Sequence, residues 1–388
     1  MRRCTLERME YGPEFQEIAH CGGKFIVTTA QMPNGQRGVQ LGVEHSRPLP
    51  AAFFMVWAVL PGGIPMSRAL TKETPCLPVF IGSDTHGLFG HRCPACQEYW
   101  RSQTVPDAWD ITCPYCGTSG QTFEFLTAEQ VRFVRAVCEL AMAAYAADEV
   151  GRHVIDMDPV IDQVATKPTE RPRFYYTEQS QQNRYTCDAC GAEDDVLGRY
   201  GYCSSCGTRN DLQELTRDIK AIEAEARERH NTREPLERAV VDAVRAFDSA
   251  ARQYAKQLAE RVPMKPERRE ALDGFLFHNL KKAEAVLEPW FGIGLFKRIG
   301  ADDAEFIRRM FLRRHVYEHD GGQVTQRYLN ESGDTSVKLK QSLRETTDNI
   351  FRMTGLILRM ARNLHDGFHD VFPPTEKPIA MYREQQAG

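Results

Sequence analysis

The chain has 388 residues, 42% hydrophobic and 26% charged, which is the make-up of a globular protein of about two to four domains and excludes collagen-like, disordered and purely coiled-coil chains. Its 49 basic and 53 acidic residues leave a formal charge of −4, so no global basic field attracts nucleic acid, and any such partner must be held by local patches. The longest apolar run, Ala51 to Leu60, is too short to cross a bilayer, and no apolar segment follows Arg2-Arg3; with no membrane span or signal peptide expected, the location implied is cytoplasmic.

Residues 1–90 read as a β-rich domain. Gly23 to Thr29 and Val39 to Glu44 carry β-branched and apolar residues around the turn signal Pro33-Asn34-Gly35, which predicts two strands. Phe53 to Leu60, stopped by Pro61-Gly62-Gly63, fits a buried strand or a short helix equally.

Eight of the twelve cysteines form four Cys-x-x-Cys knuckles in two sets. Cys93, Cys96, Cys113 and Cys116 lie in 91–120; Cys187, Cys190, Cys203 and Cys206 lie in 187–210. Sixteen residues separate Cys96 from Cys113 and twelve separate Cys190 from Cys203, a spacing that lets two hairpin knuckles present four thiolates to one Zn²⁺. Two zinc ribbons with one structural Zn²⁺ each are expected. Four thiolates leave no open coordination position, so neither metal is expected to act in catalysis. Such a ribbon can recognise nucleic acid or protein, or simply supply a metal core to a segment too small to fold alone. Gly117, Gly191 and Gly207 each follow a knuckle, where positive φ lets backbone N–H groups turn toward sulfur. Cys4, Cys21, Cys76 and Cys138 lack the spacing and read as ordinary thiols.

Within 121–166, an amphipathic helix over 127–149 behind a Thr127 cap is followed by a connector. Residues 167–186 read as a linker. Its Arg171-Pro172-Arg173-Phe174-Tyr175-Tyr176 can stack on single-stranded nucleic acid or pack against the neighbouring ribbon.

From 211 to 388 the texture is helical and almost neutral, which predicts an α-helical bundle and, overall, the α+β class. A charged helix covers 211–230. A second, opened by Pro235, aligns Leu236, Val240, Val244, Phe247, Ala251, Tyr254 and Leu258. A third is expected over 267–289, a fourth over 302–320 and a last over 337–369.

The fourth helix carries Arg313-Arg314-His315-Val316-Tyr317-Glu318-His319-Asp320-Gly321-Gly322. Arg314 sits on the edge of the apolar stripe, where a charge must face a cleft or partner. His319 ends the helix, where the dipole favours the imidazolium. Five residues turn an ideal helix by about 140°, so the two side chains do not share a face by spacing alone. An arginine and a titratable histidine at one cleft suffice for metal-free RNA cleavage. His278 could approach from the third helix or serve the core; Arg308, Arg309 and Arg313 could contact phosphate or solvent; Asp242 or Asp248 could orient the motif or stay solvated.

The segment Arg313 to Gly322, followed by Gln326-Arg327-Tyr328-Leu329, resembles the Arg-x4-His signature of HEPN-superfamily helical domains. Arg314 and His319 match the signature positions, and His315 stands where the family commonly has a polar residue, often Asn. Asp320 adds a carboxylate that could hold one His319 tautomer or cap the helix. The resemblance implies a metal-independent endoribonuclease, with catalytic Arg314 and His319, supporting His315, Asp320 and Arg313, and a homodimer that brings two Arg/His pairs together. The expectation is a toxin-type or antiviral-defence ribonuclease acting on RNA, with a possible trigger or antitoxin protein and the ribbons sensing or selecting. The competing expectation is a non-catalytic adaptor for nucleic acid or protein.

Overall fold

A computed structural model of the protein describes residues 9–11, 15–19, 23–45, 52–67, 74–84, 86–103, 109–147, 150–159, 173–228 and 233–388. The chain divides into two compact units, residues 1–208 with 375–388, and residues 209–374.

In the first unit, Gly23–Gln31 and Arg37–His45 pair antiparallel across the predicted turn, where Gly35 takes φ +79°. Alternate residues of Gly23–Gln31 are buried, the period-2 pattern of a sheet with one covered face. Arg152–Asp156 extends its other edge. Phe53–Val59 is a strand, hydrogen-bonded on both edges by Ile64–Met66 and Cys76–Gly82. Helix α1 (Ala128–Ala146) begins behind Thr127, whose Oγ1 accepts from the Gln130 N–H at 3.2 Å. Its Phe133, Val134, Val137 and Ala141 pack with Phe25, Val56, Val79 and Ile81 in one core. Phe174 and Tyr176 join that core, and the Tyr176 hydroxyl bonds Gly82 N–H and C=O at 2.8 and 3.0 Å. These linker aromatics are thus occupied by packing; Arg171 and Pro172 lie outside the described residues.

The strands flanking the first knuckle of each set join in one antiparallel sheet, ordered Asn183–Thr186, Glu193–Val196, Tyr99–Ser102, Phe89–Arg92, while Ile111–Thr112 and Ser119–Gly120, on either side of Cys113 and Cys116, pair with each other separately. At the seam, buried Arg101 binds Asp195 at 2.5 and 2.8 Å and also pairs with Asp84. Such a cation is tolerated in the interior because its carboxylates are fixed around it.

Glu178 lies fully buried beside this sheet, accepting from Tyr99 Oη at 2.6 Å and Gln130 Nε2 at 3.2 Å. Burial pushes its carboxyl up to about 7, against the downward pull of Tyr99 and the Gly90 backbone. The folded state therefore keeps a proton that the unfolded chain loses near the ordinary glutamate value. This contribution is full below about pH 4.5 and is lost as pH rises through about 7, a change of about 3 kcal/mol. Glu178→Gln does not titrate. Between pH 5 and 8, urea unfolding should show wild type losing about 3 kcal/mol relative to the variant; parallel pH profiles would refute this.

The second unit is helical: α2 (Asp211–Glu228), α3 (Arg233–Arg261), α4 (Pro266–Asp273), α5 (Leu280–Phe291), α6 (Ala301–His319), α7 (Gln326–Ser332) and α8 (Thr347–Val371). The stripe expected on α3 is buried throughout. The helix expected over 267–289 is instead two. Phe275 and Phe277 are both buried with rings 5.0 Å apart, and Phe277 N–H donates to Asp248 Oδ1 at 2.5 Å. Two buried residues at a spacing of two cannot lie on one helical face, so the chain leaves the helix after Asp273. The helix expected over 337–369 starts ten residues later, at Thr347. Residues 340–343 pair with 322–324 through Val324–Gln341, Lys340–Val324 and Leu343–Gly322 backbone bonds, which a helix there would forfeit.

The last helix, α9 (Glu376–Ala387), belongs to the first unit rather than to the helical one, although 211–388 reads as a single helical body in sequence. Its Ile379 packs among Cys187, Cys190, Cys203 and Cys206, and Thr375 N–H donates to Cys206 C=O at 2.8 Å. Among the described residues, no helix is long and apolar enough to cross a membrane.

Candidate functional site

Two sets of four cysteines converge, each with all sulfurs within 4.8 Å of one another. In the first, Cys93–Cys116 and Cys96–Cys113 sulfurs are 3.6 and 3.7 Å apart. In the second, Cys187–Cys206 and Cys190–Cys203 are 3.8 and 3.6 Å apart. A tetrahedron with metal–sulfur bonds of about 2.3 Å has edges of about 3.8 Å, whereas a disulfide needs about 2.05 Å. Both clusters therefore fit a structural divalent ion such as zinc. Without a cation the sulfurs cannot all ionise: the hydrogen bond from Cys113 pulls Cys116 down to about 4, while its counterpart pushes Cys113 far up. Gly117, Gly191 and Gly207 take φ of 70–73°, and Gln97 adopts the same left-handed turn at 63° after the first knuckle. Each of the four donates its N–H to the carbonyl of the knuckle's first cysteine. Thr118 and Thr208 hydroxyls lie 3.2 Å from Cys116 and Cys206 sulfurs, where they can support thiolates. Cys76 and Cys138 stand apart from both clusters; Cys4 and Cys21 lie outside the described residues.

In the helical unit, α6 presents the Arg-x4-His residues at its C-terminal end. Its inner side is formed by Phe306, Ile307, Met310, Phe311 and Val316, all buried. Arg314, 17% exposed, places Nη2 2.7 Å from Glu318 Oε2 one turn on. His319, 57% exposed, brings Nε2 to 3.7 Å from the same oxygen. The guanidinium and imidazole, separated by rotation along the helix, thus meet at one carboxylate. Arg245 of α3 approaches Glu318 Oε1 at 3.4 Å. Arg314 Nε is buried and without a hydrogen-bond partner among the described residues.

His315 and His319 rings lie with centroids 4.6 Å apart. His278, from the 274–279 loop between α4 and α5, places Nδ1 4.0 Å from Asp248 Oδ1. Burial, and then the nearby Arg314 cation, pull its imidazole below the ordinary value, which places His278 within the field of Arg314. Asp248 therefore anchors the loop that carries His278, and Asp242 pairs with Arg245 at 3.4 Å.

Arg313 does not face this site. It is buried and donates to Tyr328 Oη at 3.1 Å, Glu345 Oε1 at 2.9 Å and Asp334 Oδ2 at 2.9 Å. It fastens α6 to α7 and to the chain before α8, and is not available to a phosphate. Asp320 is the C-cap residue, and its carboxylate makes no hydrogen bond or ion pair among the described residues, leaving Glu318 as the acid beside His319. Gly321 and Gly322, at φ +57° and +78°, turn the chain away immediately after it. Arg308 pairs with Glu284 at 3.0 Å and covers the Phe296 ring. Glu318 is the site residue that sequence reasoning missed. Its only signal is the i,i+4 spacing from Arg314, which also describes an ordinary helix ion pair.

Compared with protein-family models, curated proteins and solved structures, the chain matches none of them.

Proposed function

We propose that the helical unit is a metal-independent endoribonuclease acting through Arg314 and His319, and that the two cysteine clusters hold structural zinc. The observation that supports the reading is the approach of Arg314 and His319 to one oxygen of Glu318. An anionic oxygen already occupies the position between guanidinium and imidazole, and a phosphate oxygen entering there would meet the same two groups. In the proposed reaction His319 takes the 2′-hydroxyl proton, and the 2′-oxygen forms its bond to the adjacent phosphorus. The bond from phosphorus to the 5′-oxygen breaks, and that oxygen takes up a proton from an imidazolium or water. Arg314 stabilises the charge gathering on the phosphoryl oxygens. Pairing of two helical units would double the local positive charge, which suits an almost neutral domain.

RNA incubated in EDTA, with bound metal monitored, should be cut to products ending in 2′,3′-cyclic phosphate. His319→Ala should lose about 10²- to 10⁴-fold in rate and Arg314→Ala about 10²- to 10³-fold. RNA with 2′-hydrogens should survive. Equal cutting by wild type and His319→Ala would remove the catalytic role.

A second reading, a non-catalytic adaptor, draws on the same ion pair. An arginine satisfied at 2.7 Å by its own helix stabilises that helix without needing a ligand. Under it, neither substitution changes RNA integrity.

A further inference from the structure

The proposed catalytic pair occupies one end of a larger feature. On α3 the core stripe uses Val240, Val244, Phe247, Ala251, Tyr254 and Leu258, all buried. The other side presents Arg245, Ser249, Arg252 and Lys256, spaced four, three and four residues apart on one exposed face. With Gln253 and Asp248 of α3 and Leu272 and Asp273 of α4, these line an open cavity of about 510 Å³. Three cations face two carboxylates there.

The cations are only loosely engaged. Arg252 lies 3.8 Å from Asp248, Lys256 lies 3.9 Å from Glu260, and Arg245 lies 3.4 Å from both Asp242 and Glu318. Arg313 shows what a committed arginine looks like in this unit, with two carboxylates at 2.9 Å. All three cations are exposed, and pairs at such distances contribute little, so an incoming anion can take up the cations at small cost. Arg245 links the groove to the site, because its other neighbour is the Glu318 carboxylate that Arg314 and His319 share.

We propose that this groove binds the phosphate backbone of single-stranded RNA flanking the linkage held at Arg314 and His319. The proposal rests on the ribonuclease reading and extends it to a substrate class. The cations run in one line along about 16 Å of helix, which suits one backbone, whereas duplex RNA presents phosphates and 2′-hydroxyls across a broad minor groove. Ser249 and Gln253 add hydrogen-bonding groups for phosphate or ribose. Among the described residues none that lines the groove is aromatic, so base stacking is not engaged and the groove tolerates any sequence.

The test separates binding from cleavage by using a fluorescein-labelled 12-nucleotide 2′-O-methyl RNA, which lacks the attacking hydroxyl. By fluorescence anisotropy, Arg252→Gln/Lys256→Gln should bind this probe about tenfold more weakly than wild type at low salt. Its plot of log Kd against log salt should flatten by about 1.4, the share of two single-strand phosphate contacts. Arg327→Gln, an exposed cation on α7, should bind as wild type does, and circular dichroism should show the same helix content in all three. Equal affinity of wild type and the double variant, or equal binding of a duplex of the same sequence, would overturn the proposal. If His319→Ala cuts RNA as wild type does while the double variant loses binding, the groove stands and the catalytic assignment falls.

Discussion

Cys203→Ser is expected to remove one of two metal ions per chain and to unfold the surroundings of the second cluster. Cys203 is fully buried, its sulfur lies 3.6 Å from that of Cys190, and its backbone N–H and C=O close the knuckle against Thr208 and Gly207. A serine hydroxyl is a poor ligand for a soft tetrahedral site, and metal binding in modules of this kind supplies about 10–16 kcal/mol of folding free energy. The small core around the cluster has Ile379 of α9 as its main apolar contribution from outside the knuckles. Losing the metal should therefore release α9, since Gly191 meets Tyr382 and Cys206 accepts from Thr375 only while the knuckle is formed. Metal analysis should give about two zinc ions per wild-type chain and about one in the variant. Limited proteolysis should open the segment after Pro374 in the variant and in chelator-stripped protein. Fewer than one ion in wild type, or an unchanged protease pattern in the variant, would refute the assignment.

Arg313→Met should destabilise the helical unit by about 3–5 kcal/mol, the cost of leaving buried carboxylates without their cation. Asp334 and Glu345 are almost wholly buried, and the Tyr328 and Tyr317 hydroxyls complete the cluster by donating to them at 2.7 and 2.8 Å. Burial would push the Asp334 carboxyl up, but hydrogen bonds from Ser336, Tyr328 and Arg313 hold it well below the ordinary range. Its contribution is therefore present above the usual aspartate value and is lost only in strong acid. Replacing both acids as well, in Arg313→Met/Asp334→Asn/Glu345→Gln, should recover part of the loss because no charge is then stranded. The measurement is denaturant unfolding followed by helix content. At temperatures where Arg313→Met stays folded, RNA cleavage should match wild type, in contrast to Arg314→Ala. A stable variant with lost cleavage would return Arg313 to the phosphate-binding role that its place in the motif suggests.

The neighbours Arg313 and Arg314 show where sequence reasoning stopped. Both stand beside the apolar stripe of α6, about 100° apart around the helix. Which one turns inward was decided by Asp334 and Glu345, 21 and 32 residues away. The break after Asp273 has the same origin, because Phe277 is drawn to Phe247 and its N–H to Asp248 across 29 residues. So does the late start of α8, whose expected first turns pair with 322–324 instead. Glu318 was visible only as a helix ion pair, and its nearness to His319 arises at the helix end.

What the amino-acid sequence determined alone was local in range: the two sets of four cysteines, the left-handed turns behind three knuckles, the Thr127 cap and the apolar stripe of α3. Each follows from covalent spacing or from the 3.6-residue period, which neighbours along the chain suffice to define. The tertiary structure alone decided that the strands around the first knuckle of each set share one sheet clasped at Arg101, that α9 returns to the second cluster, and that Arg314, His319 and Arg245 gather at Glu318. Those outcomes depend on which buried charges and apolar faces find partners far along the chain, and a partner's position exists only once the chain has folded.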